Sequence, residues 1–386
     1  MSPISQDETI LDVPLSADAP ILAVGAELKS APALMIGSKV FVGPDVGRLD
    51  EPDAYRRFLE EVERLPERHN THPEVLAHDL HPEYAATRWA RSQLRHHVGV
   101  QHHHAHIVAC MAEHGLRGVV VGLACDGTGY GTDGTIWGGE VLVCDFDSGE
   151  FRRAGFLKPF SLLGGDAAAV ETYRPALGVL IETFGKNWPA EAQHLVHTID
   201  PRALTLAVAR LGAPSARLPR TTSLGRLFDA AAFLLGLCAR NDAEAQAPVA
   251  VQQAAEQGKA AEPLEYSIET NSDGALVMDY RPMIRAMVKG REQTDCTPRN
   301  LARAFHEGLS KMLAEAVVRV CEATNERRVV LSGGCFLNAL LRTGVEEQLR
   351  RDGCEVYTHR TLSPGDENIA VGQALVAAAR MRKGTL

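Results

Sequence analysis

Short apolar runs set apart by polar or glycine-rich joints give the first third of the chain a strand-rich start. Residues 21–28, 33–36 and 39–42 are such runs, the last two split by Gly37 and Ser38, and they predict the first antiparallel strands of a sheet. Charged and apolar positions at helical spacing predict an amphipathic helix over 51–66, opened by Asp50 and Pro52. Residues 75–79 predict a fourth strand, Pro82 suits the first turn of a helix over 82–95, and 98–100 predicts another strand. The apolar stretch 106–115 predicts a helix ended by Gly115.

The pattern then starts again. Residues 119–124, 134–143 and 151–159 predict three strands joined by turns. Helices are predicted over 167–184, around 202–211, from Thr221 to Cys238, and over 241–259 as a mostly surface element, with prolines near 214–219. A strand over 274–279 precedes the longest predicted helix, 300–325, whose apolar positions include Leu301, Phe305, Leu309 and Met312. A buried strand from Arg328 runs through Gly333-Gly334 into a helix, and residues 357–368 join a strand to the last helix. A strand-rich opening followed by helices, met twice, predicts an α/β protein with two duplicated lobes around a cleft. The expected division is an extension over 1–20, a first lobe over 21–117 and a second over 118–386, the last helix packing back on the first lobe.

Totals narrow the partners. At 386 residues the chain exceeds what one core usually fills, in keeping with two lobes. A net charge of −9 argues against broad contact with a phosphate backbone, so nucleic acid is not an expected partner. No apolar run is long enough for a membrane helix and no leader region opens the chain, so a cytoplasmic protein off the membrane is expected. Eight scattered cysteines without a C-x-x-C pair read as reduced core thiols.

Candidate chemistry gathers at Gln101-His102-His103-His104-Ala105-His106 and Cys125-Asp126-Gly127-Thr128-Gly129-Tyr130-Gly131. His102 and His106 lie one helical turn apart, a spacing that lets two imidazoles grip one metal ion; a solvated helix start is the alternative. Asp126 ends a strand-like run and enters a glycine turn, which suits a metal or a phosphate, though a tight hairpin explains those glycines equally well. Asp166 reads as a helix N-cap after Gly164-Gly165. Backbone N–H groups at Gly333-Gly334 suit a phosphate or purine, or simply close packing of strand on helix. Cys335 has no local partner to activate it and reads as packing. Asp366 stands at a strand-to-helix junction, as an N-cap or as a fourth ligand would.

With these residues in view, the chain resembles the C-terminal lobe pair of the HypF-type carbamoyltransferases, which build the cyanide ligands of nickel–iron hydrogenases. The likeness rests on the histidine run, on Asp126 through the Trp137-Gly138-Gly139-Glu140 stretch, on Ala77-His78-Asp79-Leu80-His81-Pro82, on Gly225-Arg226-Leu227-Phe228-Asp229, and on Ser332-Gly333-Gly334. It implies an actin-like and sugar-kinase-like fold, shared with tRNA threonylcarbamoyl-transferases and O-carbamoyltransferases. It implies one divalent metal, iron(II) or zinc, on His102, His106, Asp126 and Asp366. The adenylate would lie with its phosphate at Gly127, Thr128 and Gly129, and Gly164, Gly165, Asp166, Gly333, Gly334 and Asn338 nearer the nucleoside. His103 and His104 fit either a proton-carrying role beside the ligands or a solvent-facing one.

The activity so implied is transfer of a carbamoyl group from carbamoyl-adenylate to a cysteine thiolate of a HypE-like partner. No room for the family's acylphosphatase, zinc-finger and YrdC-like domains exists in the first twenty residues, so a separate YrdC-like protein is expected to supply the donor. The family's Y-E-G-Q-A run stands here as Ala243-Glu244-Ala245-Gln246-Ala247 and its R-E-P-W-R pattern as Val170-Glu171-Thr172-Tyr173-Arg174, changes that bear on the pocket. Alternatives are O-carbamoylation of a small hydroxyl substrate, a threonylcarbamoyl transfer that the acidic total disfavours, or a non-catalytic nucleotide-binding scaffold.

Overall fold

The computed structural model describes residues 8–212, 218–259, 262–293 and 296–384. Its first sheet contains β1 (Thr9–Asp12), β2 (Ile21–Ala23), β3 (Ala33–Ile36), β4 (Lys39–Val42), β5 (Val75–Asp79) and β6 (His96–Val100). The strand order is β1-β4-β3-β2-β5-β6, antiparallel from β1 to β2 and parallel from β2 to β6. Three helices belong here: α1 (Pro52–Arg68), α2 (Ala85–Ser92) and α3 (His102–Glu113). Helix α2 is shorter than predicted, and Pro82 stands in the turn before it and not in its first turn. Strand β1 was not legible: it is four residues long with no fully buried position, and it is held by pairing with the edge of β4.

The second lobe repeats the plan. Strands β7 (Val119–Tyr130), β8 (Ile136–Asp145) and β9 (Glu150–Leu157) form an antiparallel meander. A helical insertion follows, with β10 (Phe160–Ser161), α4 (Ala167–Val170), α5 (Tyr173–Phe184), α6 (Trp188–Val196), α7 (Pro201–Gly212), β11 (Arg220–Thr221), α8 (Leu224–Leu234) and α9 (Gln246–Glu256). Then come β12 (Ser267–Thr270), β13 (Leu276–Asp279), α10 (Arg281–Gly290) and α11 (Pro298–Thr324). Strand β14 (Arg328–Ser332), α12 (Ala339–Arg351), β15 (Glu355–Tyr357) and α13 (Ile369–Lys383) complete it. The core order β9-β8-β7-β14-β15 matches β4-β3-β2-β5-β6 in both neighbour and direction, so the lobes are duplicates. The stretch near 214–219 lies mostly outside the described residues. Helix α9 is half sunk, with Ala247, Val251, Ala254 and Ala255 buried, where a mostly surface helix was expected.

Two crossings place the site. Helix α3 packs on β7, β8 and β14 of the second lobe, while α13 packs on α3 and on β2 and β5 of the first. A helix covered on all sides cannot be amphipathic, and every residue from His102 to Ala112 is buried. Where α3 meets α13, Gly372 lies so close to Ala105 that a Cβ would fall 1.9 Å from the Ala105 carbonyl oxygen. The buried Gln373 amide then pairs with both backbone groups of Gly25, at 2.9 and 3.1 Å.

Candidate active site

Strand β7 passes straight through the glycine run that reads as a turn, but it bulges. Cys125 faces Gly139 and Gly129 faces Trp137, so Asp126, Gly127 and Thr128 stand opposite Gly138 alone. Bulges of this kind re-aim a side chain, here Asp126, away from the ladder. Behind it, Gly333 takes φ +103°, and a Cβ there would fall 2.3 Å from the Cys125 carbonyl oxygen. Only glycine lets β14 end flush against β7, which brings Gly334 beside Asp126 Oδ1.

Facing the bulge is the first turn of α3, capped by Gln101, whose Oε1 accepts from the His104 N–H at 2.9 Å. The Nε2 atoms of His102 and His106 lie 3.3 and 3.1 Å from Asp126 Oδ2, and each is 3.7 Å from Asp366 Oδ1. These four ligand atoms all lie within 4.8 Å of one another. The predicted quartet thus converges in one place, although its last member is 240 residues from Asp126 in the chain.

Hydrogen-bond polarity decides what this quartet can hold. His102 Nδ1 lies 2.8 Å from Asp79 Oδ2, a carboxylate that also accepts from the His81 N–H, so the imidazole proton sits on Nδ1. His106 Nδ1 lies 3.1 Å from Asn368 Oδ1. The Asn368 amide nitrogen must donate to the Ser363 carbonyl at 2.8 Å, so Oδ1 is the atom that faces His106 and accepts from it. Both Nε2 atoms are therefore bare lone pairs aimed at two carboxylates. Four acceptors in one buried space demand a cation, either protons or a metal ion. Without a metal, burial opposes charge on His102, but bonds to Asp126, Asp366 and Asp79 raise it well above the ordinary imidazole value. His106 is raised in the same way against its burial, by Asp126 and Asp366. Burial works against ionised Asp126 and Asp366 too, and the two histidines outweigh it, holding both carboxyls below the usual range. Two imidazoles and two carboxylates fit zinc or ferrous iron, and the spacing and preset tautomers suit such an ion.

The neighbouring histidines differ from expectation. Both His103 and His104 are fully buried, which overturns the solvent-facing alternative. His104 lies on Phe151, its ring centroid 4.8 Å away, and neither ring nitrogen has a partner among the described residues. Burial, reinforced by Arg380, pushes it down to about 3, so it is a neutral core residue. His103 stands beside His102 and against Gly129. The Gln101 amide nitrogen donates to its Nδ1 at 3.0 Å, leaving Nε2–H as a donor, and burial followed by the His102 charge holds it well below the ordinary value.

Of the other predicted contacts, Gly127 and Thr128 edge the bulge, where Gly127 N–H donates to Asp126 Oδ1 at 2.7 Å and Thr128 is exposed. Ser223 Oγ, at the start of α8, donates to the Gly127 carbonyl at 2.6 Å and ties the bulge to the insertion. Gly164, Gly165 and Asp166 lie on an exposed turn, and Asp166 makes no capping bond, contrary to its expected role. Asn338 caps α12 through Leu341 N–H at 3.0 Å, and its amide nitrogen donates to His306 Nε2. Lys29 pairs with Glu244 across the lobes at 3.1 Å. Sequence reasoning missed Asp79 and Asn368 as holders of the two histidines. A strand-end carboxylate and an asparagine two residues past Asp366 were the available signals.

Fold and site together define the class: a two-lobed α/β domain of duplicated sheets, with histidines on one helix and a carboxylate from each of two second-lobe segments. Two family models match, the HypF Kae1-like domain over residues 16–113 and the carbamoyltransferase Kae1-like domain, second subdomain, over 122–373. A carbamoyltransferase HypF homolog from Cupriavidus necator is 37% identical, with 95% of this chain and 93% of that relative aligned. The carbamoyltransferase HypF of Synechocystis is 32% identical over 95% of this chain but 48% of its own length. A crystal structure of full-length HypF in the phosphate- and nucleotide-bound form superposes with a TM-score of 0.91 at 32% identity, covering 97% of this chain and 48% of that one. The chain belongs to the HypF carbamoyltransferase family. It spans nearly all of one relative and about half the length of others.

Proposed function

We propose that this chain transfers a carbamoyl group from carbamoyl-adenylate to a cysteine thiolate of a HypE-like protein, in the maturation of nickel–iron hydrogenase, with the donor made by a YrdC-like activity. One observation carries the reading: two bare imidazole nitrogens and two carboxylates meet in one buried space, with tautomers set in advance for a cation. His102 and His106 through Nε2, Asp126 through Oδ2 and Asp366 through Oδ1 would hold a divalent ion. When bound, it supplies Lewis acidity toward a carbonyl or phosphoryl oxygen. The exposed Thr128 and the neighbouring Gly127 border the place where the donor's phosphate would sit. His103 contributes a donor and not a base, because its Nδ1 is engaged by Gln101 and its protonation is suppressed by burial. The acceptor therefore enters as a thiolate, whose sulfur bonds to the carbamoyl carbon as the bond from that carbon to the phosphate oxygen breaks and AMP leaves. The relatives' name, the site and the nucleotide-bound neighbour support this reading over a non-catalytic scaffold.

The test combines the purified chain with ATP, carbamoyl phosphate, a YrdC-like protein and a HypE-like acceptor. A carbamoyl mass increment on the acceptor cysteine is expected with all components present and absent when the chain is omitted or carries Asp126→Ala. Equal carbamoylation without the chain defeats the proposal. Carbamoylation of a small hydroxyl substrate with none on the acceptor would replace it with O-carbamoyl transfer.

A further inference from the structure

The nitrogen of His106 that faces away from the quartet starts a buried chain of hydrogen bonds that returns to its own helix. Asn368 accepts from His106 through Oδ1 and donates through its amide nitrogen to Ser363 and to His359 Nε2, the latter at 3.3 Å. His359 Nε2 must therefore accept, which puts the proton on Nδ1, 2.7 Å from Glu113 Oε2. Ser332 Oγ donates to the same Nε2 at 2.8 Å. Glu113 is a carboxylate on the last turn of α3, two turns beyond His106, and it also accepts from the backbone N–H groups of Thr361 and Leu362 at 2.8 and 2.7 Å. Side-chain exposure at Glu113 and His359 is only 2% and 3%, so water does not compete for these bonds.

Each bond in this chain has only one allowed direction. An ionised carboxylate at one end accepts and cannot donate, and the Ser363 carbonyl pins the amide in the middle. Reversing any link would set donor against donor or acceptor against acceptor in a buried space, which leaves a polar group unpaired away from water. We propose that Glu113, His359 and Asn368 are positioning residues that hold His106 with its proton on Nδ1 and its Nε2 bare, and so set the metal affinity of the quartet. The same residues bind the segment 359–368, which carries Asp366, along the face of α3 that carries His106. Ligand orientation and loop placement are thus one device. The inference rests on the metal-centre reading for its consequence, but the ring state of His106 can be measured without metal.

Three variants of the full chain test it. Glu113→Gln keeps the size and the bonds to Thr361 and Leu362 but offers an amide donor to His359, which moves the His359 proton to Nε2 and sets donor against donor at Asn368. Asn368→Leu interrupts it. Ser332→Ala removes one donor to His359 without changing direction. Zinc affinity is read by competition with a chromophoric chelator, and the His106 ring nitrogens by NMR of the histidine-labelled, metal-free protein at alkaline pH, where the ring is neutral and its tautomer shows. Glu113→Gln and Asn368→Leu should each weaken zinc about tenfold or more, in line with other partners of metal-bound histidines. Both should shift the His106 nitrogens, while Ser332→Ala stays within about twofold. A purely structural role would lower the melting temperature of the first two and leave affinity and ring state alone. That outcome overturns the proposal, as does a loss in Ser332→Ala equal to that in Glu113→Gln. If the wild-type chain binds no zinc, the metal-centre reading fails, and the His106 spectra alone then decide for or against the positioning chain.

Discussion

Helix α3 carries two buried clusters of ligand-type side chains, and they behave oppositely. The first is His102, His106, Asp126 and Asp366; the second is Cys110, Glu113 and His359, equally close-packed. In the second, donors meet acceptors throughout, because Glu113 receives N–H groups from His359, Thr361 and Leu362. Its cysteine is held as a neutral thiol, pushed far above the ordinary value by burial. In the first, acceptors meet acceptors, because Asp79 and Asn368 have already taken the ring protons. Proximity of ligand-type residues does not define a metal centre. The direction of the bonds behind them does.

The largest effect expected from breaking this contrast is loss of the ion. His102→Ala or Asp126→Ala should take metal content, read by plasma mass spectrometry, from about one equivalent to near none. Equal content in wild type and variants would refute the assignment. Asp79→Asn should weaken zinc about 10- to 100-fold in chelator competition, because an amide can donate to His102 Nδ1 and move the ring proton to Nε2. Unchanged affinity would show that ring protons do not matter.

A further histidine, outside both clusters, tests the satisfied case. His306 donates through Nδ1 to the Ala302 carbonyl and accepts at Nε2 from Asn338, and burial lowers it to about 4. The folded chain thus resists a proton that the unfolded chain takes up near pH 6.5. Stability from this group is complete above that pH and is lost as pH falls toward about 4, by about 3 kcal/mol in total. Urea melts across this window should show a steeper slope in wild type than in His306→Gln, and equal slopes would contradict the assignment. The smallest effect belongs to Cys110→Ala. It should cost about 1 kcal/mol as a small cavity and leave metal content unchanged; a drop would make the second cluster a metal site after all.

The four-histidine run was legible as a metal candidate because the i,i+4 spacing is local. The burial of His103 and His104 was not, since histidines at a helix start are usually wetted and only coverage from every side removes the water. The glycine run read as a turn because glycine weakens strands, whereas pairing with β8 carries β7 through it. Asp126 and Asp366 could be named from resemblance, but no spacing in the chain joins them. Duplication was visible as a repeated rhythm of strands and helices, and the matching strand order appears only once partners are known.

By itself, then, the sequence determined the local facts: helical spacing of His102 and His106, strand-end carboxylates, and glycines where backbones must touch. The tertiary structure alone decided which ring nitrogen of each histidine keeps its proton. That choice depends on Asp79 from one lobe and Asn368 from the other, and hydrogen-bond direction belongs to pairs of groups in space, with no counterpart in the order of residues along the chain.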